Sequence, residues 1–456
     1  MTSTELHPIS RLFGLLCYIT TTMYLFETLS PNETIAYTYS VLSALLLGVA
    51  FFYISTINKI IVFVLLLIGT ICIYVENMTI QQAILGFGEN IKILALFLLI
   101  PLIGIFMKTA GYLDALKSVV QAKLGEQHPY RFSFILTAFI SVLLNYGSIA
   151  IVKRIAEESL SNYQSKKLTL NIMRGFGVSM LWSPYFVNVG LVLIVFQLSW
   201  FQIGGYGFIM ATVYIMMTWL FFKRVQFDND PDITETDQDY TERLSMLPFI
   251  LFSVTLVGLS FILDVLLPVN MLTIVCILAL IFPILWALVT HTTSSYLKEV
   301  SEQVQTSFIK VKNELAVFIS AGFFGLALAQ TNIGNTIADF LLTISFGSIY
   351  LISLLIVIMM MGLAQIGIHP VIIIVGIGSG IAPESLGVSS IYMALCLLVS
   401  WTVATQTSPF SGQILLTSRL LNQPARILIK QNMLFALVVG MILITVLYCL
   451  HFIGLL

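Results

Sequence analysis

Trp182-Ser183-Pro184-Tyr185 interrupts one long apolar stretch of this chain, and Thr407-Ser408-Pro409-Phe410 interrupts another. Proline supplies no backbone N–H and its ring displaces the preceding turn, so a Ser-Pro pair in mid-membrane breaks a helix. An offset of 225 residues lays the first pair on the second. Broken spans at matching places in two halves are the sequence pointer to a secondary transporter built from inverted repeats.

The surrounding composition places the breaks in a bilayer. Of 456 residues, 58% are hydrophobic and 9% charged, against about 25% charged in soluble domains. The mean hydropathy is +0.99. The net charge of −1 gives no reason to expect a nucleic-acid partner. Met1 to Arg11 has neither a basic n-region nor a small-residue cleavage site, so the first span is expected to remain. Five cysteines, Cys17, Cys72, Cys276, Cys396 and Cys449, lie in apolar segments without C-x-x-C spacing and read as small fillers.

A spanning helix needs about 20 apolar residues. Such runs occupy 11–29, 36–56, 60–76, 91–108, 169–200, 204–222, 246–266, 270–290, 313–331, 388–418 and 428–452. Two further apolar stretches read as re-entrant hairpins. Lys108, Lys117, Lys123 and Arg131 precede 131–153, and Lys153, Arg154, Lys166 and Lys167 follow it. Lys and Arg are retained on the cytoplasmic side, so this stretch enters from inside and returns there. Residues 347–381 have no basic flanks and dip in from outside. The fold class is therefore all-α integral membrane: about eleven spans plus two hairpins, N-terminus inside, C-terminus outside, in the plasma membrane.

The domain reading follows: a leading helix in 1–30, a first repeat over 31–225, an acidic cytoplasmic linker over 226–244 and a second repeat over 245–456. Residues 228–243 carry seven acidic side chains. Asp228-Asn229-Asp230-Pro231-Asp232 faintly resembles a calcium loop but lacks the glycine at the sixth position. Before each hairpin an amphipathic segment, 112–125 and 331–345, reads as an interfacial arm. Residues 295–312 read as another amphipathic piece inside.

Non-helical backbone at membrane depth is tolerated only where protein or water in a cavity satisfies it. Four such places converge: two hairpin tips and two breaks. In the first tip Gly147 is expected to permit the turn, with Asn145 and Ser148 as polar groups. The second runs through Gly367 and His369 to a restart at Pro370. In the breaks, Ser183 and Ser408 are expected to cap restarting helices whose first residues are Pro184 and Pro409. The restarts would attract anions, and the free carbonyls before them would coordinate a cation. Thr407, Tyr185, Asn188, Ser411 and Gln413 flank the breaks as candidate solute contacts.

Arg174, nine residues before Ser183 and so about 13 Å along a helix, is expected near the cytoplasmic surface. No charged side chain falls at the midplane of the four elements, which favours an anionic or polar solute over a cation. His369 is the one titratable group there, with a proton-coupling, anion-binding or purely structural role.

In layout the chain resembles the ion transporter superfamily, closest to the divalent-anion/sodium symporters and citrate carriers. That resemblance implies an elevator mechanism, a homodimer, and a transport core of hairpins and broken helices moving against a scaffold. The Ser-Asn-Thr tips of those symporters are absent; Asn145 and Ser148 are partial counterparts, and Ile368-His369-Pro370 replaces the second tip. The expected activity is non-enzymatic: secondary transport of a small anionic organic solute, without cofactor, coupled to sodium at the tips and breaks or to protons. The alternative is a cation–proton antiporter on the same scaffold. A membrane polymerase would place charges on a sizeable outer loop, and the outer loops here are short and free of Arg.

Overall fold

The computed structural model describes residues 8–123, 128–160, 162–225, 227, 230, 232–233, 244–331 and 333–456. A leading helix α1 (Pro8–Leu29) is followed by α2 (Glu33–Tyr53), α3 (Thr56–Val75), the short α4 (Ile80–Gly86) and α5 (Ile91–Thr109). Then come α6 (Tyr112–Lys123), the hairpin α7 (Pro129–Leu144) and α8 (Gly147–Ser159), the broken pair α9 (Ser165–Ser179) and α10 (Val187–Val195), and α11 (Trp200–Phe221). The second half has α12 (Leu247–Leu266), α13 (Met271–Val289), the long α14 (Thr293–Ala329) and α15 (Ile333–Ile344). It continues with the hairpin α16 (Ile349–Gln365) and α17 (Pro370–Gly380), the broken pair α18 (Ser390–Thr405) and α19 (Gly412–Leu421), and α20 (Ala425–Phe452).

Among the described residues nine helices are long and apolar enough to cross a membrane, counting α4–α5 as one. The bent pair of α15 and α16 brings the number to at most ten, against the eleven expected, because the halves of each broken pair are too short to count alone. Both halves run through the same order: two full helices, a long helix, a short arm, a hairpin, a broken helix and a closing helix. The arm α15 turns by 108° into α16, so it lies across the direction of its neighbour.

The segment 295–312 is not a separate piece. It continues without interruption into 313–331, because no proline or glycine stands between Thr293 and Gly322, and one helix of 37 residues results. Most of the acidic linker, including Asp228, Asn229 and Pro231, lies outside the described residues. Asp230 accepts the backbone N–H groups of Lys166 and Lys167 at 3.1 and 3.0 Å, anchoring the N-terminus of α9. Asp232-Ile233 pairs antiparallel with Tyr163-Gln164. Four cysteines are buried as fillers, whereas Cys449 is exposed.

The helices pack as two groups. In one, α14 gathers α1, α2, α3, α4 and α5, with α13 against α5 and α12. In the other, α7 packs on α8 and α9, α16 on α18, α19 on α9, and α10 on α17 and α18, flanked by α11 and α20. Gly175 lets α9 approach α7 closely: a Cβ there would overlap the Phe134 carbonyl oxygen and stand 3.0 Å from Thr137. The groups meet where α14 touches α17 and α5 touches α7 and α10.

Candidate functional site

Hydroxyl groups fasten each hairpin to the broken helix of its own half. Ser141 on α7 and Ser179 at the end of α9 share a hydrogen bond of 2.7 Å, and Ser179 also donates to the Ala138 carbonyl at 2.8 Å. In the second half Ser408 donates to Ala364 O of α16 at 2.6 Å, and Gln365 Nε2 donates to Thr407 O at 2.6 Å.

The two halves also touch at matched positions. Thr405 and Met180, 225 residues apart, meet with Oγ1 to Sδ at 3.8 Å. The restarts of the broken helices, Val187 and Gly412, stand at the same offset, as do their caps, Phe186 and Ser411.

These caps correct the expectation for Ser183 and Ser408. Each serine instead forms a local turn, its Oγ accepting the N–H two residues on: Tyr185 at 3.3 Å and Phe410 at 3.2 Å. Pro184 and Pro409 sit inside those turns, and the helices restart later. Ser411 caps α19 by accepting the Ile414 N–H at 3.2 Å. Phe186 has no polar side chain, so α10 starts without a side-chain cap.

Four further carbonyls of the breaks are paired with side chains. Met180 O accepts Asn188 Nδ2 at 2.6 Å and Trp182 O accepts Trp200 Nε1 at 2.7 Å. Gln406 O accepts Asn432 Nδ2 at 3.2 Å, and Thr405 O accepts Ser411 Oγ. Buried carbonyls rarely remain unpaired, and here the donors come from the restarting helices (Asn188, Ser411) and from the neighbouring helices α11 and α20 (Trp200, Asn432).

At the first tip Asn145, not Gly147, carries the turn. Asn145 adopts φ 47° and ψ −133° and its Oδ1 accepts the Tyr146 N–H at 2.9 Å, while Gly147 already begins α8. A non-glycine residue in that region holds of order 1–3 kcal/mol of strain, which the surrounding packing must outweigh. The second tip turns at Gly367, φ +94°. His369 caps α17 through Nδ1, which accepts the Val371 N–H at 3.3 Å. Its ring stands edge-on between Phe318 and Trp401, each centroid at 5.7 Å.

Tips and breaks enclose a cavity of about 340 Å³. Asn145, Tyr146, Asn188, Gly367, His369, Ser408 and Ser411 line it. Gly147, Ser148, Ser183, Pro184, Tyr185, Thr407, Pro409 and Gln413 do not. Ser148 donates to Asn145 O at 2.7 Å, Tyr185 turns away to donate to Leu256 O of α12 at 3.3 Å, and Gln413 donates to Met173 O at 2.8 Å. A second cavity, of about 580 Å³, shares Phe97, Asn145, Tyr146 and Val187 with the first, so the first hairpin tip stands between the two. Lys108, Arg154 and Glu299 line its far part.

Sequence reading missed Glu314 and did not foresee the partners of Arg174. Glu314, on α14, is the one acidic side chain lining the first cavity, and no Lys or Arg lines it among the described residues. It comes from the facing helix group, outside the four irregular elements. Arg174 is buried inside the protein. It is 1% exposed, donates Nε–H to Asn432 Oδ1 at 2.9 Å and lies over the Phe435 ring at 3.9 Å. Both partners come from the closing helix α20, which distance along α9 alone does not reveal. Among the described residues no three His, Cys, Asp or Glu side chains gather into a metal-binding group.

No protein-family model matches the chain, and no curated protein matches it in sequence. Sixteen solved chains match it in structure. Among them is the Alcanivorax borkumensis YdaH transporter, whose crystal structure is described as revealing an unusual topology. It superposes with a TM-score of 0.53 at 12% identity, over 79% of this chain and 85% of that one. At that identity the likeness is one of fold.

Proposed function

We propose that the chain is a secondary transporter of a small organic solute bearing an anionic group, bound in the 340 Å³ cavity. The observation that carries this reading is the convergence of two hairpin tips and two helix breaks on one cavity between two helix groups. A static receptor has no need of irregular backbone from both halves, whereas alternating access does. The uncapped start of α10, with Val187 and Asn188 at the wall, suits a carboxylate or similar anion. Asn145 and His369 supply hydrogen-bonding groups around it, while Ser408 and Ser411, whose hydroxyl protons go to Ala364 O and Thr405 O, hold the shape of the wall.

In this reading the group of hairpins and broken helices is the moving core of an elevator. The group around α14 is the scaffold, through which two copies associate in the plasma membrane. The two halves are inverted repeats, with the N-terminus inside and the C-terminus outside. Lys59 next to Asn58, and Lys310 and Lys312 near Asn313, support a cytoplasmic position for the scaffold mouth of the cavity. Sodium or protons drive transport, and no cofactor or catalytic step is involved. The test is uptake into proteoliposomes across a panel of organic anions, with and without sodium, at two pH values. Loss of uptake in Asn145→Ala and Ser408→Ala with protein retained in the membrane supports the reading; unchanged uptake in both sinks the site assignment.

A second reading, cation–proton antiport, draws support from Glu314 alone, because a carboxylate in a transport cavity can hold a cation. Sodium-dependent proton release in proteoliposomes lacking any organic solute would favour it.

A further inference from the structure

We infer that the solute is a zwitterion whose positively charged nitrogen is held by Glu314 and the aromatic wall, opposite the anion end at α10. The inference rests on the reading of this cavity as the solute site. Glu314 Oε2 is buried and has no hydrogen-bond partner, and no Lys, Arg or His nitrogen among the described residues pairs with it. A carboxylate left so costs several kcal/mol, and a cationic partner removes that cost.

The structure leaves few candidates for that partner. Of the helices packed on α14, α4, α13 and α17 carry no charged side chain. Lys92 and Lys108 of α5 are engaged by Glu89 and Glu299. Arg11 and Glu27 of α1, Glu33 of α2, Lys59 of α3 and Asp339 of α15 make no ion pair with it, nor do Lys310 and Lys312 of α14 itself. Tyr146 is its titratable neighbour across the cavity, and His369 cannot serve while its Nδ1 lone pair caps α17. Five of the break carbonyls, on Met180, Trp182, Thr405, Gln406 and Thr407, already accept side-chain donors.

What surrounds the carboxylate favours an organic cation. Phe97, Phe176, Phe186, Trp401 and Phe410 line the same cavity, and ring faces attract ammonium groups. A negative group, the uncapped start of α10 and aromatic rings in the wall of one cavity match a small solute with both charges.

The experiment measures thermal stabilisation of the full-length purified protein by three molecules of nearly one shape: L-phenylalanine, hydrocinnamate, which lacks the ammonium, and phenethylamine, which lacks the carboxylate. Glycine betaine serves as a compact fourth probe. Ligand binding raises apparent stability by mass action. The expected result is stabilisation by the amino acid or betaine well above either one-charge analogue. In Glu314→Gln the apparent Kd for the zwitterion should rise about 10- to 100-fold, the weight of a lost hydrogen bond to a charged group. The variant should bring the zwitterion down to the level of hydrocinnamate.

Equal stabilisation by hydrocinnamate and phenylalanine would overturn the inference and leave anion transport standing. Zwitterion binding unchanged in Glu314→Gln would overturn it too. A response to sodium or pH alone, lost in Glu314→Gln, would reassign Glu314 to an inorganic cation. No response to either zwitterion would also reject it, while side-to-side accessibility of the cavity separately judges the transport reading.

Discussion

Ser408→Ala tests whether the second break is fastened to its hairpin. The substitution removes a 2.6 Å donor to Ala364 O and the 3.2 Å acceptor for the Phe410 N–H. Ala364 O keeps the Gly367 N–H at 3.3 Å, so it is not left without a partner, and Phe410 is only partly buried at the cavity wall. The loss therefore falls at the low end for buried polar pairs, about 1–2 kcal/mol. If that energy holds the tip and break closed, local opening becomes about 5- to 30-fold more frequent. Hydrogen exchange followed by mass spectrometry on peptides covering 364–368 and 406–411 reads this directly. Exchange there should quicken by that factor, while α7 and α9, fastened by Ser141 and Ser179, stay unchanged. Ser408→Thr, which keeps the hydroxyl, should retain most of the protection. Unaltered exchange, or acceleration spread over the whole chain, would refute a local tether.

Three further perturbations follow from the packing. Gly175→Ala drives a methyl group into the Phe134 carbonyl and should cost about 1–3 kcal/mol, seen as a lower unfolding midpoint in detergent; no shift would mean that α7 and α9 are not so close. Asn432→Leu leaves Arg174 buried with its Nε unpaired and should destabilise more than Arg174→Met, with the double variant recovering part of the loss. Additive losses in that cycle would deny the pairing. Lys117 on the arm α6 holds the Glu158 carboxyl of α8 below its ordinary value, with Arg154 adding to the effect. A depressed value means stabilisation that is full above the ordinary carboxylate range, near pH 4.3, and is lost as pH falls through the folded value. The pair is half exposed, so Glu158→Gln should flatten the acid limb of stability by less than about 1 kcal/mol, more visibly at low salt.

The paired Ser-Pro breaks were legible because proline acts locally, removing a backbone donor and crowding the turn before it; Pro101 and Pro283 stay inside α5 and α13, so the matched placement of the two pairs carried the signal. Span lengths and hairpins were legible for a similar reason, since apolar length and breakers act within one segment. Positions that depend on a partner from elsewhere were not. Whether a helix restarts at Ser183 or after Phe186 depends on which donors reach the Met180 and Trp182 carbonyls, and those are Asn188 and Trp200. The burial of Arg174 depends on α20, and the strained turn at Asn145 rather than Gly147 on tertiary packing around the tip. Glu314 escaped because it belongs to a helix that reads as scaffold. Its arrival in the cavity changes the chemistry expected there, from an anion held by dipoles alone to a solute met by charge of both signs.

The central claim is that the cavity between tips and breaks is open to one side of the membrane at a time. Phe410 lines the cavity and is 46% exposed; Phe410→Cys, in a background freed of the five natural cysteines, reports on access there. A membrane-impermeant thiol reagent applied in turn to each face of oriented proteoliposomes measures the rate of labelling. Alternating access predicts labelling from both faces, with conditions that speed one slowing the other. Labelling from a single face under every condition would contradict it, and labelling from both faces rising together would indicate a channel.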